Sequence, residues 1–84
     1  MRIRYRRTQT VNGSRAEGIA YEVWTQDRPR SRWTHAGWVV PAGTSWMALP
    51  AQTWRGWTHY RRTRARAVED MLAGRAWFNT REDA

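Results

Sequence analysis

The sequence predicts an α+β fold: a single two-layer domain, an antiparallel sheet of three to five strands with one C-terminal helix packed on one face. Apolar and polar residues alternate over most of the chain, which is the period of half-buried strands. Asn12-Gly13 is a strong hairpin signal, because both residues tolerate positive φ. A helical period occurs only in the carboxy-terminal third. Antiparallel strands followed by one helix make two layers.

The strands follow from the alternation and from the turn residues between them. In the first strand Ile3 and Tyr5 lie on one side, with arginines between them. Pro50 ends the fourth strand, since proline cannot donate to a sheet ladder. We treat residues 1–84 as one domain. The expected strands cover 2–11, 18–26, 32–40 and 45–49, and the pattern allows a further edge strand over 57–61.

The helix is expected over residues 63–76. Thr63 fits the N-cap position, and an apolar arc at 3.6-residue spacing follows it. Gly74 either closes the helix or is tolerated until about Trp77. So short a helix is marginal alone in water and must dock on the sheet. Residues 78–84 are expected to fray.

One helix covers only one face of the sheet, whereas the second and third strands are apolar on both faces. Trp24 and Trp38 share the parity that the helix does not cover, so an indole-bearing face is expected to lie bare. Exposed, these two indoles would stack on bases or anchor a protein interface. The leading core candidates among the other tryptophans are Trp33, Trp46 and Trp57.

The composition favours a polyanionic partner. Fifteen arginines, no lysine and seven acids give a net charge of +8 over 84 residues. A GC-rich genome explains the preference for arginine over lysine, but it does not explain the shortage of acids. The absence of cysteine excludes disulfides and thiolate sites, and fits a cytoplasmic location. The charged amino terminus has no apolar run behind it, so neither a signal peptide nor a membrane anchor is expected.

Two blocks of arginines flank the uncharged centre, residues 33–54: the first lies within residues 1–15 and the second within residues 55–66. The two blocks are expected to share one surface. The first block alternates along a strand, which suits tracking a phosphate backbone or protecting an edge strand from aggregation. The second block surrounds the start of the helix, where the macrodipole disfavours cations and a bound phosphate would relieve the conflict. The alternative is a solvated cluster partly neutralised by Glu69 and Asp70. The expected nucleic-acid-binding residues are Arg2, Arg4, Arg6, Arg7, Arg61, Arg62, Arg64 and Arg66.

Catalysis has little support in the sequence. His35 and His59 are the only imidazoles, and neither stands at ligand spacing or beside a paired carboxylate. The six glycines are scattered singly, so there is no glycine-rich phosphate loop. We therefore expect no catalytic residue, no metal ligand and no cofactor.

About half of the chain carries a recognisable pattern: Gly37-Trp38, the turn Gly43-Thr44, Trp46-Met-Ala48, Tyr60, then Thr63-Arg64 followed by Ala67, Val68 and Leu72. This pattern resembles small β-β-β-α proteins of unknown function from actinobacteriophages and actinobacteria. It is also similar to the arm-binding domains of tyrosine integrases and to AP2-type domains, which lay a three-stranded sheet into the DNA major groove. Those DNA-binding domains carry basic residues at the sheet centre, whereas residues 33–54 are uncharged here.

The sequence thus predicts a small basic, non-enzymatic nucleic-acid-binding protein that contacts phosphates, with DNA favoured. The resemblance implies a phage origin and hence the host cytoplasm. The alternative is a phage protein that binds and modulates a host protein through Trp24 and Trp38. The same two indoles would also allow a homodimer across a two-fold axis. No membrane partner is expected.

Overall fold

A computed structural model of the chain describes residues 1–75. Four strands form one antiparallel sheet in the order β1-β2-β3-β4, so each strand pairs with its neighbour in sequence. The elements are β1 Arg2–Val11, β2 Ser14–Gln26, β3 Thr34–Ala42, β4 Ser45–Pro50, a 3₁₀ turn at Thr53–Arg55 and the helix α1 Arg64–Leu72. The expected α+β fold, an antiparallel sheet with one C-terminal helix, is confirmed. Within the described residues, no helix is long and apolar enough to cross a membrane.

The strand bounds differ from the expected ones because the turns are tighter. Asn12 and Gly13 have φ of 50° and 81°, and Val11 pairs directly with Ser14, so β2 starts there rather than at residue 18. Ala42 pairs with Ser45 around Gly43, whose φ is 64°, so β3 extends to residue 42. The segment over 57–61 is not a named strand. It contributes an isolated antiparallel bridge, in which Trp46 and Arg61 exchange backbone hydrogen bonds of 2.7 and 2.8 Å.

The helix is capped at both ends by its own sequence. The Thr63 hydroxyl accepts a hydrogen bond from the Arg66 N–H at 3.2 Å, as the N-cap expectation required. Gly74 has a φ of 76°, and the N–H groups of Gly74 and Arg75 donate to the carbonyls of Met71 and Asp70. This is a Schellman closure, so Gly74 ends the helix. The expected span of 63–76 is too long, and residues 76 and 78–84 lie outside the described residues.

The main core lies between α1 and one face of the sheet. It contains one residue from each of β2, β3 and β4 and three from the helix: Val23, Val39, Ala48, Ala67, Val68 and Met71. Gly37, whose φ is 152°, lies where β3 is in close contact with both β4 and the helix. A Cβ there would overlap the Leu49 carbonyl oxygen and lie 2.7 Å from Met71 Sδ. Glycine is therefore what allows both the β4 backbone and the helix to approach β3 closely.

A second, smaller cluster covers part of the opposite face. Val11, Ala20 and Leu49 are buried there, with Trp38, Val40 and Trp57 packed against them. That face is consequently only partly bare, which corrects the expectation of a wholly open one. Trp46 and Trp57 pack against the two clusters, as predicted. Trp33 belongs to neither cluster and lies against an arginine instead, so its prediction as a core residue is wrong.

Candidate functional site

Three of the four arginines of β1, at positions 2, 4 and 6, lie on the sheet face opposite α1. Side chains alternate along a strand, and Tyr5 packs against the main core on the helix side. Arg2, Arg4 and Arg6 therefore occupy the other face, and all three are exposed. They stand at every second residue, which spaces them about 6.7 Å apart along the strand.

The loop of residues 27–33 brings a tryptophan onto this row. Gln26, only 5% exposed, donates from Nε2 to the carbonyls of Pro29 and Ser31 at 3.3 and 2.8 Å. Held in this way, the loop returns across the sheet. The Trp33 ring lies under the Arg4 guanidinium, with Cζ 4.4 Å from the ring centroid, and Arg2 lies 6.0 Å away. Two arginines of the row, Arg4 and Arg2, are thus backed by an indole.

A β-bulge aligns a second aromatic group on the same face. Val23 pairs with Gly37 and Trp24 pairs with His35, which leaves Ala36 as the extra residue of β3. The bulge reverses the parity of His35, so the imidazole lies between Trp24 and Trp38 with ring centroids 5.0 and 4.7 Å apart. The Trp24 Nε1 donates to the Glu22 carboxylate at 3.3 Å. The Trp24 indole is therefore positioned by Glu22 at its N–H and by the adjacent His35 ring.

We name the surface formed by Arg2, Arg4, Arg6, Trp24 and Trp33 the arginine–tryptophan face. A cavity of about 210 Å³ lies within it, lined by Arg4, Arg6, Trp24 and Trp33. The acid Glu22 reaches this surface, with a carboxylate oxygen 4.0 Å from the Arg6 Nε. Three more exposed arginines, at positions 28, 30 and 32, belong to the loop that carries Trp33.

At the start of the helix, Arg61 is engaged by a buried carboxylate. Its Nε and Nη2 donate to the two oxygens of Asp70 at 2.6 and 3.3 Å, and Asp70 is 5% exposed. The hydrogen bond and the charge of Asp70 raise the pKa of Arg61 above its usual value. Arg75 approaches the same carboxylate at 3.6 Å. Among the described residues Asp70 pairs with these two arginines rather than with Arg66.

Arg64, at the start of the helix, lies against two aromatic rings. Its Cζ lies 4.1 Å from the Tyr5 centroid and 4.7 Å from the Tyr21 centroid, and the residue is half-buried. The faces of the two phenol rings stabilise the cation. Arg62 and Arg66 are exposed beside it.

The expectation that the two arginine blocks share one surface is wrong. Arg64 lies against Tyr5 on the helix side of β1, whereas Arg4 lies on the opposite side of the same strand. Among the arginines at positions 2, 4, 6 and 7, Arg7, paired with Tyr21, is the one with the parity of the helix side. The physical reason is the two-residue period of β1: a helix docked over Tyr5 cannot meet the side chains at positions 2, 4 and 6.

The structure places Trp24 and Trp38 opposite α1, but both are half-buried. His35 separates them, and Trp38 also packs against the second cluster. The more exposed aromatic side chains are Trp54, at 77%, and Tyr60, at 66%. Both lie outside the four strands, where strand parity makes no prediction.

Sequence reasoning missed Trp33 as a site residue, together with the loop arginines around Pro29. The run Arg28-Pro-Arg-Ser-Arg32 was itself a signal, because proline and serine favour a tight turn. In the structure the Ser31 N–H donates to the Arg28 carbonyl at 3.0 Å, which closes that turn. What the sequence did not show is that the loop folds back over β1.

Comparison with known proteins finds no matching family model, no matching curated protein and no matching solved structure. The protein is described by its own fold and surface: a small α+β domain with a four-stranded antiparallel meander, one helix on one face of the sheet, and arginines among tryptophans on the other face. What such a domain does is inferred from that surface.

Proposed function

We propose that this protein binds nucleic acid, without catalysing a reaction, through the arginine–tryptophan face. One observation carries the proposal: the exposed arginine row of β1 and the indoles of Trp24 and Trp33 lie on the same side of the sheet, away from α1. Guanidinium groups neutralise phosphates, and indoles offer surface to bases. A cytoplasmic location accompanies this proposal.

The contact between Arg4 and Trp33 supports phosphate binding rather than competing with it. The indole covers one side of the guanidinium, while Arg4 stays exposed to solvent. The indole also limits the rotamers of Arg4, so less side-chain entropy is lost when a phosphate binds. Arg4 is therefore preorganised for an anion.

The linear arrangement of the cations favours an extended polyanion over a single small anion. Three arginines at every second position of a straight strand do not converge on one point. The loop arginines at positions 28, 30 and 32 continue the positive charge beyond the Arg2 end of the row. A polymer with a phosphate at each unit contacts several of these groups at once.

The test compares two paired substitutions by fluorescence anisotropy at about 50 mM salt, with labelled single-stranded and duplex oligonucleotides. Arg4→Gln with Arg6→Gln removes two cations from the proposed surface. Arg62→Gln with Arg66→Gln removes two exposed cations near the helix start and leaves the net charge of the two variants equal. We expect the first pair to weaken binding at least about tenfold and the second to change it less than about threefold.

Two results would overturn the proposal. The first is the absence of any complex between the unsubstituted protein and either oligonucleotide. The second is a loss of binding that follows the control pair at positions 62 and 66 rather than the pair at positions 4 and 6. Circular dichroism of each variant establishes that the fold is retained before the affinities are compared.

A further inference from the structure

We infer that the cavity between Trp24 and Trp33 holds one unpaired nucleobase, so that the protein selects single-stranded over duplex nucleic acid. This inference rests on the proposed function and specifies its substrate. The cavity combines two kinds of lining in one place, the indoles of Trp24 and Trp33 and the guanidinium groups of Arg4 and Arg6. A nucleotide has the matching pair of groups, a flat ring system and a phosphate.

The size of the cavity fits one ring system. Its volume of about 210 Å³ is smaller than the roughly 300–1,000 Å³ of pockets that enclose drug-sized ligands. A base in a duplex is stacked and paired, and its ring faces are covered by its neighbours. Only an unpaired base presents a free face to an indole.

The aromatic walls are held in place before any ligand arrives. Trp24 is fixed by its hydrogen bond to Glu22 and by the adjacent His35 ring. Trp33 is fixed by the loop that Gln26 anchors and by the Arg4 guanidinium above it. Preorganised walls reduce the ordering cost of binding, so stacking energy is available for affinity.

The two arginines place the phosphates at the rim. Arg4 and Arg6 both line the cavity, and both are exposed to solvent. A base held in this cavity therefore has the arginines of β1 close to the phosphates of its own nucleotide chain. Charge complementarity and ring stacking together favour a nucleotide chain, because every nucleotide carries both a ring system and a phosphate, whereas the acidic residues of a peptide supply no ring.

The experiment uses three labelled probes of equal length, about 12 units: a single-stranded oligothymidine, a duplex of mixed sequence and an abasic phosphodiester strand. The unsubstituted protein is titrated with each probe at the same salt concentration. We expect the oligothymidine to bind at least about fivefold more tightly than either of the others. Equal affinity for the oligothymidine and the abasic strand would overturn the inference, while the proposed function would stand. Failure of all three probes to bind would overturn both.

Variants locate the base. Trp33→Leu is expected to weaken oligothymidine binding by about 5- to 150-fold. It is expected to weaken binding of the abasic strand by a clearly smaller factor, because there only the support that Trp33 gives to Arg4 is lost. Trp54→Leu is the matched control, because Trp54 is 77% exposed and does not line the cavity. An equal loss in both variants would place the base elsewhere and overturn the assignment. If Trp33→Leu fails to fold, the comparison of oligothymidine with the abasic strand decides the question without any variant.

Discussion

At the scale of single residues, the arginines of this chain have distinct roles that their sequence positions do not distinguish. Arg61 binds the buried carboxylate of Asp70, and Arg64 lies on two tyrosine rings. Arg4 lies on Trp33 but keeps an exposed edge. A guanidinium is available to an external phosphate only where its in-plane donors are not already used within the fold.

Glu22 is the acid whose removal tests the electrostatics of the arginine–tryptophan face. Glu22→Gln removes a negative charge 4.0 Å from Arg6 and retains an acceptor for the Trp24 N–H. We expect nucleic-acid affinity to rise about two- to fivefold at low salt, and the gain to shrink as salt increases. Anisotropy titrations at two salt concentrations measure it. Glu69→Gln, an exposed acid on α1, is the control and is expected to have a smaller effect. Weaker binding of Glu22→Gln would contradict this prediction.

At Gly37, a substitution that adds only one methyl group is expected to lower the stability of the fold strongly. Gly37→Ala places a methyl group against the Leu49 carbonyl and Met71 Sδ, at a φ of 152° that L-residues rarely adopt. We expect a loss of about 3 kcal/mol or more in the free energy of unfolding, measured by urea denaturation. Gly43→Ala is the comparison, because a Cβ there meets nothing within 4 Å and only the φ of 64° is strained. Similar losses in the two variants would show that crowding by β4 and α1 at position 37 is not the cause.

At the scale of elements, α1 depends on caps and on one buried charge as much as on its apolar arc. Thr63 satisfies an N–H at its first turn, and the Schellman closure at Gly74 satisfies carbonyls at its last. Asp70 attaches the helix to Arg61, whose backbone is paired with β4. The helix is therefore joined to the sheet edge by a charge pair as well as by packing.

Replacing the N-cap tests the contribution of local sequence to this element. Thr63→Ala removes the acceptor of the Arg66 N–H and is expected to lower the stability by about 1 kcal/mol. Thr63→Ser keeps a hydroxyl at the same position and should recover most of that loss. Thermal unfolding followed by circular dichroism compares the two variants. Identical midpoints for the alanine and serine variants would refute the capping role.

Asp70→Asn tests the link between the helix and the sheet edge. The amide keeps the shape of the carboxylate but leaves Arg61 and Arg75 without their negative partner. We expect a loss of about 2 kcal/mol, because hydrogen bonds to charged groups are among the stronger ones and this carboxylate is 5% exposed. Urea denaturation is the measurement. Glu69→Gln, on the solvent side of the same turn, should stay within about 0.5 kcal/mol. A cost for Asp70→Asn within that range would show that the pair contributes nothing net.

For the molecule as a whole, the main core and the arginine–tryptophan face lie on opposite sides of one sheet. The side that carries α1 holds the main core. The other side combines a small cluster near the first hairpin with the arginine–tryptophan face near the opposite end of β1. A molecule of this size can thus bury a core and still present a charged aromatic surface.

The salt dependence of binding reports which side meets the nucleic acid. Each phosphate contact contributes about 0.7 to the slope of log affinity against log salt for single strands. The pair Arg4→Gln and Arg6→Gln should therefore make the slope shallower by about 1.4, while the pair Arg62→Gln and Arg66→Gln should leave it unchanged. Titrations over a range of salt concentrations provide both slopes. An equal change for the two pairs would mean that the nucleic acid contacts both sides of the sheet.

Much of the fold follows from local patterns, whereas the site does not. Asn12-Gly13, Thr63 and Gly74 act within a few residues of their own positions, so the first hairpin and both helix ends could be read from the sequence. The bulge at Ala36 could not, because it depends on how β3 pairs with β2. It is that bulge which places His35 beside Trp24.

The sequence by itself determined the fold class, the opposite parities of the arginines and Tyr5 along β1, and the excess of positive charge, because strand period, turn residues and composition are local properties. Only the tertiary structure decided which arginines remain available to a partner. The partners that engage Arg61, Arg64 and Arg4 lie 9 residues or more away along the chain, at Asp70, Tyr5 and Trp33. Such contacts arise when α1 and the loop of residues 27–33 fold onto opposite faces of one sheet, and no local pattern encodes them.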